Sequence, residues 1–489
     1  MNEFFALLLY FSVVFAIAGW SARKVRTSAD FVLGNRSLGY LLTAMAAHAS
    51  DMSSWLFMAY PAIVFSTGLV NAWVGIGLLI FMWLNWTFVA KKIRLFTEKW
   101  GCTTLSAFFH KGVDDSSGVL ALVSAIFSFI FYTVYVSAGL MGLGILCENL
   151  LGIDYVWGIS LGIAIVFAYL MLGGYIALAW LDLFQGIFLL VAILFVPVYL
   201  GLQLGGLSTF LQIIEQKPTL FQLIPELSPE GVWAIISLSL GWGLGYFGQP
   251  HILTKFMGIK DVSQIGKSRL VGMSWMILAL GGATAVGLVG IAYFPEGLAN
   301  PQTIFVEMAR GSFHPFIAAL ILCAIIAATI NVISSQLLVM SSTLTEDLLG
   351  KVYPHTLSSK NKLLLSRLGV LGVALVAYGV ASLKISSVFS LVQYAWSGLG
   401  GSFGPLILTL LYSKNVTRQG ALAGLIIGGA TTALWPLLQP HFPVTIDALI
   451  PAYFLSITSI LFISRVTAGE RFRSPPDPLL PRADGPWTP

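Results

Sequence analysis

Ala49-Ser50-Asp51-Met52-Ser53-Ser54-Trp55 sets one carboxylate and three hydroxyls inside an apolar run that extends from Leu38 to Phe65. A charged side chain at the centre of a bilayer costs about 2.5–3.5 kcal/mol even on the most lenient scales, so it is kept where a cation, a water-filled cavity or a proton relay uses it. Asp51 is therefore the first candidate functional residue, and the question becomes what kind of span holds it.

The rest of the chain answers in membrane terms. Of its 489 residues 57% are hydrophobic and only 10% charged, too little polar surface to cover a water-soluble body of that length. Mean hydropathy is +0.87. The net charge of +5 comes from basic residues scattered through short connections, which reads as membrane topology and excludes a nucleic-acid surface. Cys102, Cys147 and Cys323 show no paired spacing for a metal or redox site. Phe4 to Trp20 has no charged leader region and reads as a retained first span.

Allowing about 20 residues per crossing, thirteen apolar segments begin near Glu3, Tyr40, Gly68, Gly118, Ile153, Tyr175, Gly231, Arg269, Pro315, Leu365, Phe389, Arg418 and Ile446. They are long and unbroken in polarity, which predicts helices and an all-α fold, not the alternating short strands of a barrel. With the N-terminus outside and the C-terminus cytoplasmic, all Lys and Arg but three of the 26 fall inside; Lys217, Arg310 and Lys384 are the exceptions. Lys255 is counted in an inside loop by that sorting. Residues 1–472 are expected to form one transmembrane domain, and the proline-rich residues 473–489 a disordered cytoplasmic tail.

The seventh segment carries a second anomaly, Gly241-Trp242-Gly243-Leu244-Gly245-Tyr246-Phe247-Gly248-Gln249-Pro250-His251, with four glycines and a proline in eleven residues. Such a stretch interrupts a helix, and non-helical backbone at membrane depth is tolerated only where it is buried in protein or lines a cavity. Two interrupted segments five positions apart point to a secondary transporter built from inverted repeats, here about 38–203 and 231–413, with a site at the midplane. Trp242, Tyr246 and Pro250 share a face at helical spacing and suit a small, partly apolar solute.

Ala49 to Trp55, Trp242 to His251, and Ser334-Ser335-Gln336-Leu337-Leu338-Val339 running on to Thr345-Glu346-Asp347-Leu348 together resemble the sodium/solute symporter family, most closely its sodium/proline symporters. The resemblance implies a LeuT-like 5+5 core with one helix before it and two after, moving L-proline inward with Na+ across the inner (plasma) membrane by alternating access. It implies a sodium-linked carboxylate at Asp51, a substrate-linked hydroxyl at Ser53, and sodium-binding carbonyls at Ala49, Met52 and Ala328. Trp242, Tyr246, Pro250 and Tyr135 match substrate-site positions, and Asp182 an acidic position on the inner ion route. Arg36 matches an arginine near the inner gate, or is a positive-inside anchor.

Four residues depart from the family pattern. The hydroxyl pair usually offered to sodium falls on Asn331 and Val332; Asn keeps a carbonyl oxygen, Val offers none. His48 stands one turn before Asp51, so either a His48/Asp51 pair carries a proton in place of sodium or His48 is satisfied by a neighbouring helix. Ser54, where glycine is usual, is expected to narrow the substrate cavity. Asn71 and Asn85 read as interhelical hydrogen-bond donors, and Glu346 and Asp347 as capping or inner-gate residues. A sensor or a membrane-embedded enzyme would need a catalytic constellation, and the sequence has no paired His/Glu metal motif and no Gly-x-Ser-x-Gly elbow. The expectation is a transporter without cofactor, with Na+, or alternatively H+, as coupling ion.

Overall fold

A computed structural model describes residues 2–23, 28–224, 228–344, 359–384 and 386–468. Among them every regular element is helical, apart from one isolated bridge between Leu38 and Ile259. A buried backbone with no water to bond must satisfy itself within each segment, and runs of Leu, Ile and Ala do so as helices. Side-chain oxygens close several helix starts: Asp154 accepts from Val156 N–H, Ser228 from Gly231 N–H just ahead of Pro229, Ser387 from Ser390 N–H and Thr417 from Gly420 N–H.

The long elements are α1 (Asn2–Ala22), α2 (Tyr40–Ala49), α3 (Trp55–Thr67), α4 (Leu69–Lys99), α5 (Val119–Leu151), α6 (Tyr155–Gln203), α7 (Pro229–Gly243), α8 (Pro250–Met257), α9 (Ile265–Tyr293), α10 (Pro315–Ser342), α11 (Ser359–Ser382), α12 (Val388–Tyr412), α13 (Arg418–Leu438) and α14 (Leu449–Thr467). Among the described residues nine helices are long and apolar enough to cross a membrane. The other four expected crossings fall on α2 with α3, which is interrupted; on the shorter apolar part of α6, Tyr155–Ala168; on α11, apolar over Leu368–Ser382; and on α12, rich in glycine and serine. α6 itself turns at Gly174, whose φ of +53° only glycine adopts readily and whose missing Cβ leaves room for Phe31.

Outward-facing Val198, Leu437 and Phe462 are more than half exposed, as side chains meant for lipid are. Of the nine membrane-length helices among the described residues α10 is the most enclosed, and it packs against α1, α5 and α6. α2 lies on α6 and α9, whereas α12 packs along α5 and over the segment that joins α7 to α8. The two broken helices therefore meet in the middle of the molecule, and α13 with α14 forms a hairpin against α12. Glu346, Asp347 and the tail 473–489 lie outside the described residues.

Candidate functional site

Between α2 and α3 the chain leaves the helix over residues 50–53. Ser53 Oγ accepts the Trp55 N–H (3.2 Å) and so starts α3, whose first turn Trp55–Ala59 is a π turn, a wider winding common beside functional sites. The break leaves the Asp51 side chain free to turn toward the second broken helix. Tyr246 donates its hydroxyl proton to Asp51 Oδ2 at 2.5 Å, and His251 Nε2 stands 3.9 Å from Asp51 Oδ1. Tyr132 holds that imidazole: its hydroxyl accepts the His251 backbone N–H (3.0 Å) and hydrogen-bonds with Nδ1 (3.2 Å).

The second break runs as a 3-10 turn over Leu244–Gly248, then extended Gln249, then α8. Gly245 is required here, because a Cβ would lie 1.9 Å from Trp396 Nε1 on α12. Trp396 donates that N–H to the Trp242 carbonyl (2.7 Å), its own carbonyl accepts from Gln249 Nε2 (3.1 Å), and Asn85 Nδ2 bonds the Tyr246 carbonyl (2.9 Å). Backbone groups freed by the unwinding are thus taken up by side chains of α4 and α12.

Between the breaks is a cavity walled by Asp51, Met52, Trp55, Tyr135, Trp242, Tyr246 and Trp396, with Leu78 and Val392. Ring centroids lie 5.1 Å apart for Trp55 and Trp242, 5.1 Å for Tyr246 and Trp396, and 6.5 Å for Trp242 and Trp396. Of the expected substrate-site residues, Tyr135, Trp242 and Tyr246 meet here with Asp51. Pro250 lines a second cavity instead, with Lys255, Thr254 and Ser335. Ser53 is buried and engaged in starting α3.

His48 and Ser54 sit elsewhere than expected. His48 Nε2 accepts from Trp86 Nε1 (3.1 Å), and its ring is packed against Gly272, Trp86 and Trp275. It faces α4 and α9, away from Asp51, so the His48/Asp51 pair is not formed; the imidazole beside Asp51 is His251. Ser54 points at Gly142 of α5, which has no Cβ to meet it, and not into the aromatic cavity.

On the other side of α2 a second charged group is buried. Lys255 Nζ donates to Asp182 Oδ2 (3.0 Å) and Ser335 Oγ (3.4 Å), with both charged side chains essentially inaccessible. Lys255 is thus no loop residue, as the charge sorting had it, but part of the core. The Asn331 amide faces the Asp182 carboxylate without reaching hydrogen-bond geometry, so its oxygen and nitrogen are both unspent. Val332 and Ala328 are buried on the same helix, and Ala49 is packed against Gly186 of α6.

Arg36, just before α2, is tied to the ends of α4 and α8. Its guanidinium donates to the carbonyls of Met257 and Cys102 (2.8 Å each) and to Thr97 Oγ1 (3.3 Å). The Leu38–Ile259 bridge reinforces it through Lys260 N–H to Leu38 O (2.8 Å). Lys255, His251, Tyr132 and Trp396 escaped the sequence reading. Only His251 carried a signal, as the last residue of the glycine-rich motif.

The sequence profile of the sodium:solute symporter family matches residues 31–428. The chain belongs to that family. Within it, the chain is 42% identical over 458 residues to the high-affinity proline transporter PutP of Bacillus subtilis, covering 92% of this chain and 95% of the relative. It is 38% identical over 479 residues to a sodium/proline symporter of Staphylococcus aureus, covering 95% and 93%. Among solved structures, a substrate-bound, outward-open Na+-coupled sialic acid symporter superposes with a TM-score of 0.82 over 95% of this chain and 98% of that one, at 17% identity. Mhp1, a nucleobase-cation-symport-1 transporter, gives 0.55 at 17% identity over 89% and 94%. At those identities the likeness is one of fold. The symporter is all-helical with a LeuT-type core, a multi-pass membrane transporter and not an enzyme.

Proposed function

We propose that the protein couples inward movement of Na+ to uptake of L-proline by alternating access. The observation that carries this reading is the aromatic cavity at the meeting point of the two broken helices, with Asp51, Tyr135, Trp242 and Tyr246 on its walls. The names of the relatives at 42% and 38% identity supply the solute and the ion. In this reading the cavity takes proline. Ser53 acts by setting the start of α3, and Pro250 faces the route of release.

The sodium ion would be held between α2 and α10 by the carbonyls of Ala49, Met52 and Ala328. Asn331 Oδ1 is a buried, unspent oxygen and suits a hard cation, whereas Val332 contributes no side-chain donor. Asp182 belongs to the inner ion route. Binding of the ion would hold the α2/α3 break in the shape that completes the cavity, which makes ion and proline affinities reciprocal. Thirteen crossings, with the N-terminus outside and the C-terminus cytoplasmic, complete the topology. The proton-coupled alternative drew on a His48/Asp51 pair that the two side chains do not make.

Radiolabelled proline uptake into proteoliposomes under separately imposed Na+ and H+ gradients is the test. Uptake that needs the Na+ gradient is expected. Uptake driven by H+ alone would refute the ion, and none under either gradient the solute.

A further inference from the structure

We propose that the cleft between α4 and α9, at the end of the molecule that the charge sorting assigns to the cytoplasm, binds the phosphate of a net-anionic membrane phospholipid through Lys91 and Arg269. The cleft is separate from the aromatic cavity between the two broken helices, and the inference is independent of the solute and of the coupling ion.

The cleft has a volume of about 420 Å³, with Trp86, Thr87 and Lys91 of α4 on one side and Ser263, Gly266 and Arg269, at the start of α9, on the other. Among the described residues that line it, the two charged ones are both cations and none is a carboxylate. Asp261, the nearest acidic residue along the chain, is turned to the Ser263 N–H (2.8 Å). A cleft lined by one sign of charge focuses potential and concentrates the opposite ion.

The donors are aimed rather than loose. Arg269 Nη1 donates to Thr87 Oγ1 (2.9 Å), and the guanidinium lies 5.8 Å from the Trp83 ring, so α4 holds the fork in place. A guanidinium carries five N–H donors in a geometry that matches phosphate, and the tie to Thr87 does not exhaust them. α4 winds as a π turn over Asn85–Val89, which widens it where Trp86 and Thr87 form the wall. Gly266 lies in regular helix, and a Cβ added there would meet no atom within 4 Å. Packing does not call for glycine at that position; its missing side chain keeps the cleft open.

The surroundings decide the source of the phosphate. On α4, Trp83 and Phe88 are about half exposed, and on α9 Leu270 and Ile277 are more than half exposed. A free phosphate ion would use the cations and leave these side chains idle. A phospholipid uses both, the headgroup on Lys91 and Arg269 and the acyl chains along the apolar side chains beside them. A zwitterionic headgroup would bring an ammonium of its own against two cations, so the fit is to a headgroup that carries net negative charge.

The test is native mass spectrometry of the purified full-length protein in neutral detergent, titrated with dioleoyl phosphatidylglycerol or dioleoyl phosphatidylethanolamine. The wild type is expected to bind phosphatidylglycerol about 10- to 30-fold more tightly, as two cations near an anionic lipid give. Lys91→Gln with Arg269→Gln should erase most of that preference. Lys99→Gln with Lys111→Gln removes as much charge from the same end and should keep it. Gly266→Phe leaves both cations and fills the cleft; it serves as a second variant in case the first does not fold. It should weaken phosphatidylglycerol by about fivefold or more, the effect of losing one such contact. The proposal is overturned if the wild type shows no preference, or if Lys91→Gln with Arg269→Gln retains it. It is also overturned if Lys99→Gln with Lys111→Gln loses as much, which would make the effect one of diffuse charge, or if Gly266→Phe binds like the wild type. Displacement of phosphatidylglycerol by excess inorganic phosphate would make this a site for the free ion and overturn the lipid. Bound-lipid mass does not pass through transport, so none of these outcomes bears on the proline reading.

Discussion

Lys255 Nζ lies 3.0 Å from Asp182 Oδ2, an ammonium from the second broken helix set against a carboxylate from α6 in the interior of the molecule. Breaking such a pair from one side leaves an uncompensated buried charge and costs about 3–5 kcal/mol, whereas removing both charges together costs far less. Lys255→Met or Asp182→Asn alone should lower the thermal denaturation midpoint of the purified protein by several degrees. Lys255→Met with Asp182→Asn should recover most of it. Additive losses in the double variant would show that the pair is not the source of the effect.

Sodium coordination gives the next expectation. Val332 stands where the family's pattern has a hydroxyl, and the Asn331 amide is unspent. Under the proposed site Val332→Thr supplies a missing oxygen, and one added donor of about 1 kcal/mol should raise the apparent Na+ affinity of proline uptake by about fivefold. Asn331→Ala should lower it. An unchanged Na+ dependence in both variants would place the ion away from this turn of α10.

Much of this was legible in the sequence because the signals were local. Gly241 to Pro250 and Ala49 to Trp55 break their helices by composition alone, and apolar run length separated helices from strands. What escaped depends on three-dimensional pairing. Lys255 looks like any basic residue near the end of a span until α8 packs against α6 and α10, and the fact that it neutralises Asp182 is invisible along the chain. His48 and His251 are both intramembrane histidines, 203 residues apart in sequence. Helical spacing favoured His48 as the neighbour of Asp51, but the unwound backbone after Ala49 rotates the carboxylate away and Trp86 claims His48. Trp396 carries no motif; only the contact with Gly245 gives it a role.

That contact makes Gly245 a sharp probe of the second break. Gly245→Ala would put a methyl group 1.9 Å from Trp396 Nε1, where it has to displace the indole and with it the bond to the Trp242 carbonyl. Overpacking of this kind costs about 1–3 kcal/mol, so proline affinity should fall by about tenfold or more. Trp396→Phe, which loses the bond but not the ring, should fall less. Equilibrium binding of proline reads both, and a wild-type affinity in Gly245→Ala would mean that the indole is not held where the cavity needs it.

Arg36 offers a readout that does not pass through transport. Its guanidinium spans Met257 at the end of α8, Cys102 beyond α4, and Thr97 within α4. Arg36→Ala removes all of these bonds at once, and the segment around Cys102, now buried with its sulfur near the Trp100 carbonyl, should loosen. In a background with Cys147 and Cys323 replaced by serine, maleimide should label Cys102 at least several times faster in Arg36→Ala than in the parent. Arg36→Lys has a single ammonium on a flexible stem and cannot hold three acceptors in the fixed fork of a guanidinium, so its labelling should be intermediate. If Arg36 were only a charge that anchors the first inside loop, Arg36→Lys would label like the parent. Saturating proline with Na+ should slow labelling in the parent if the inner ends of α2 and α8 move together during transport, and should slow it less in Arg36→Ala, where the tie between them is cut.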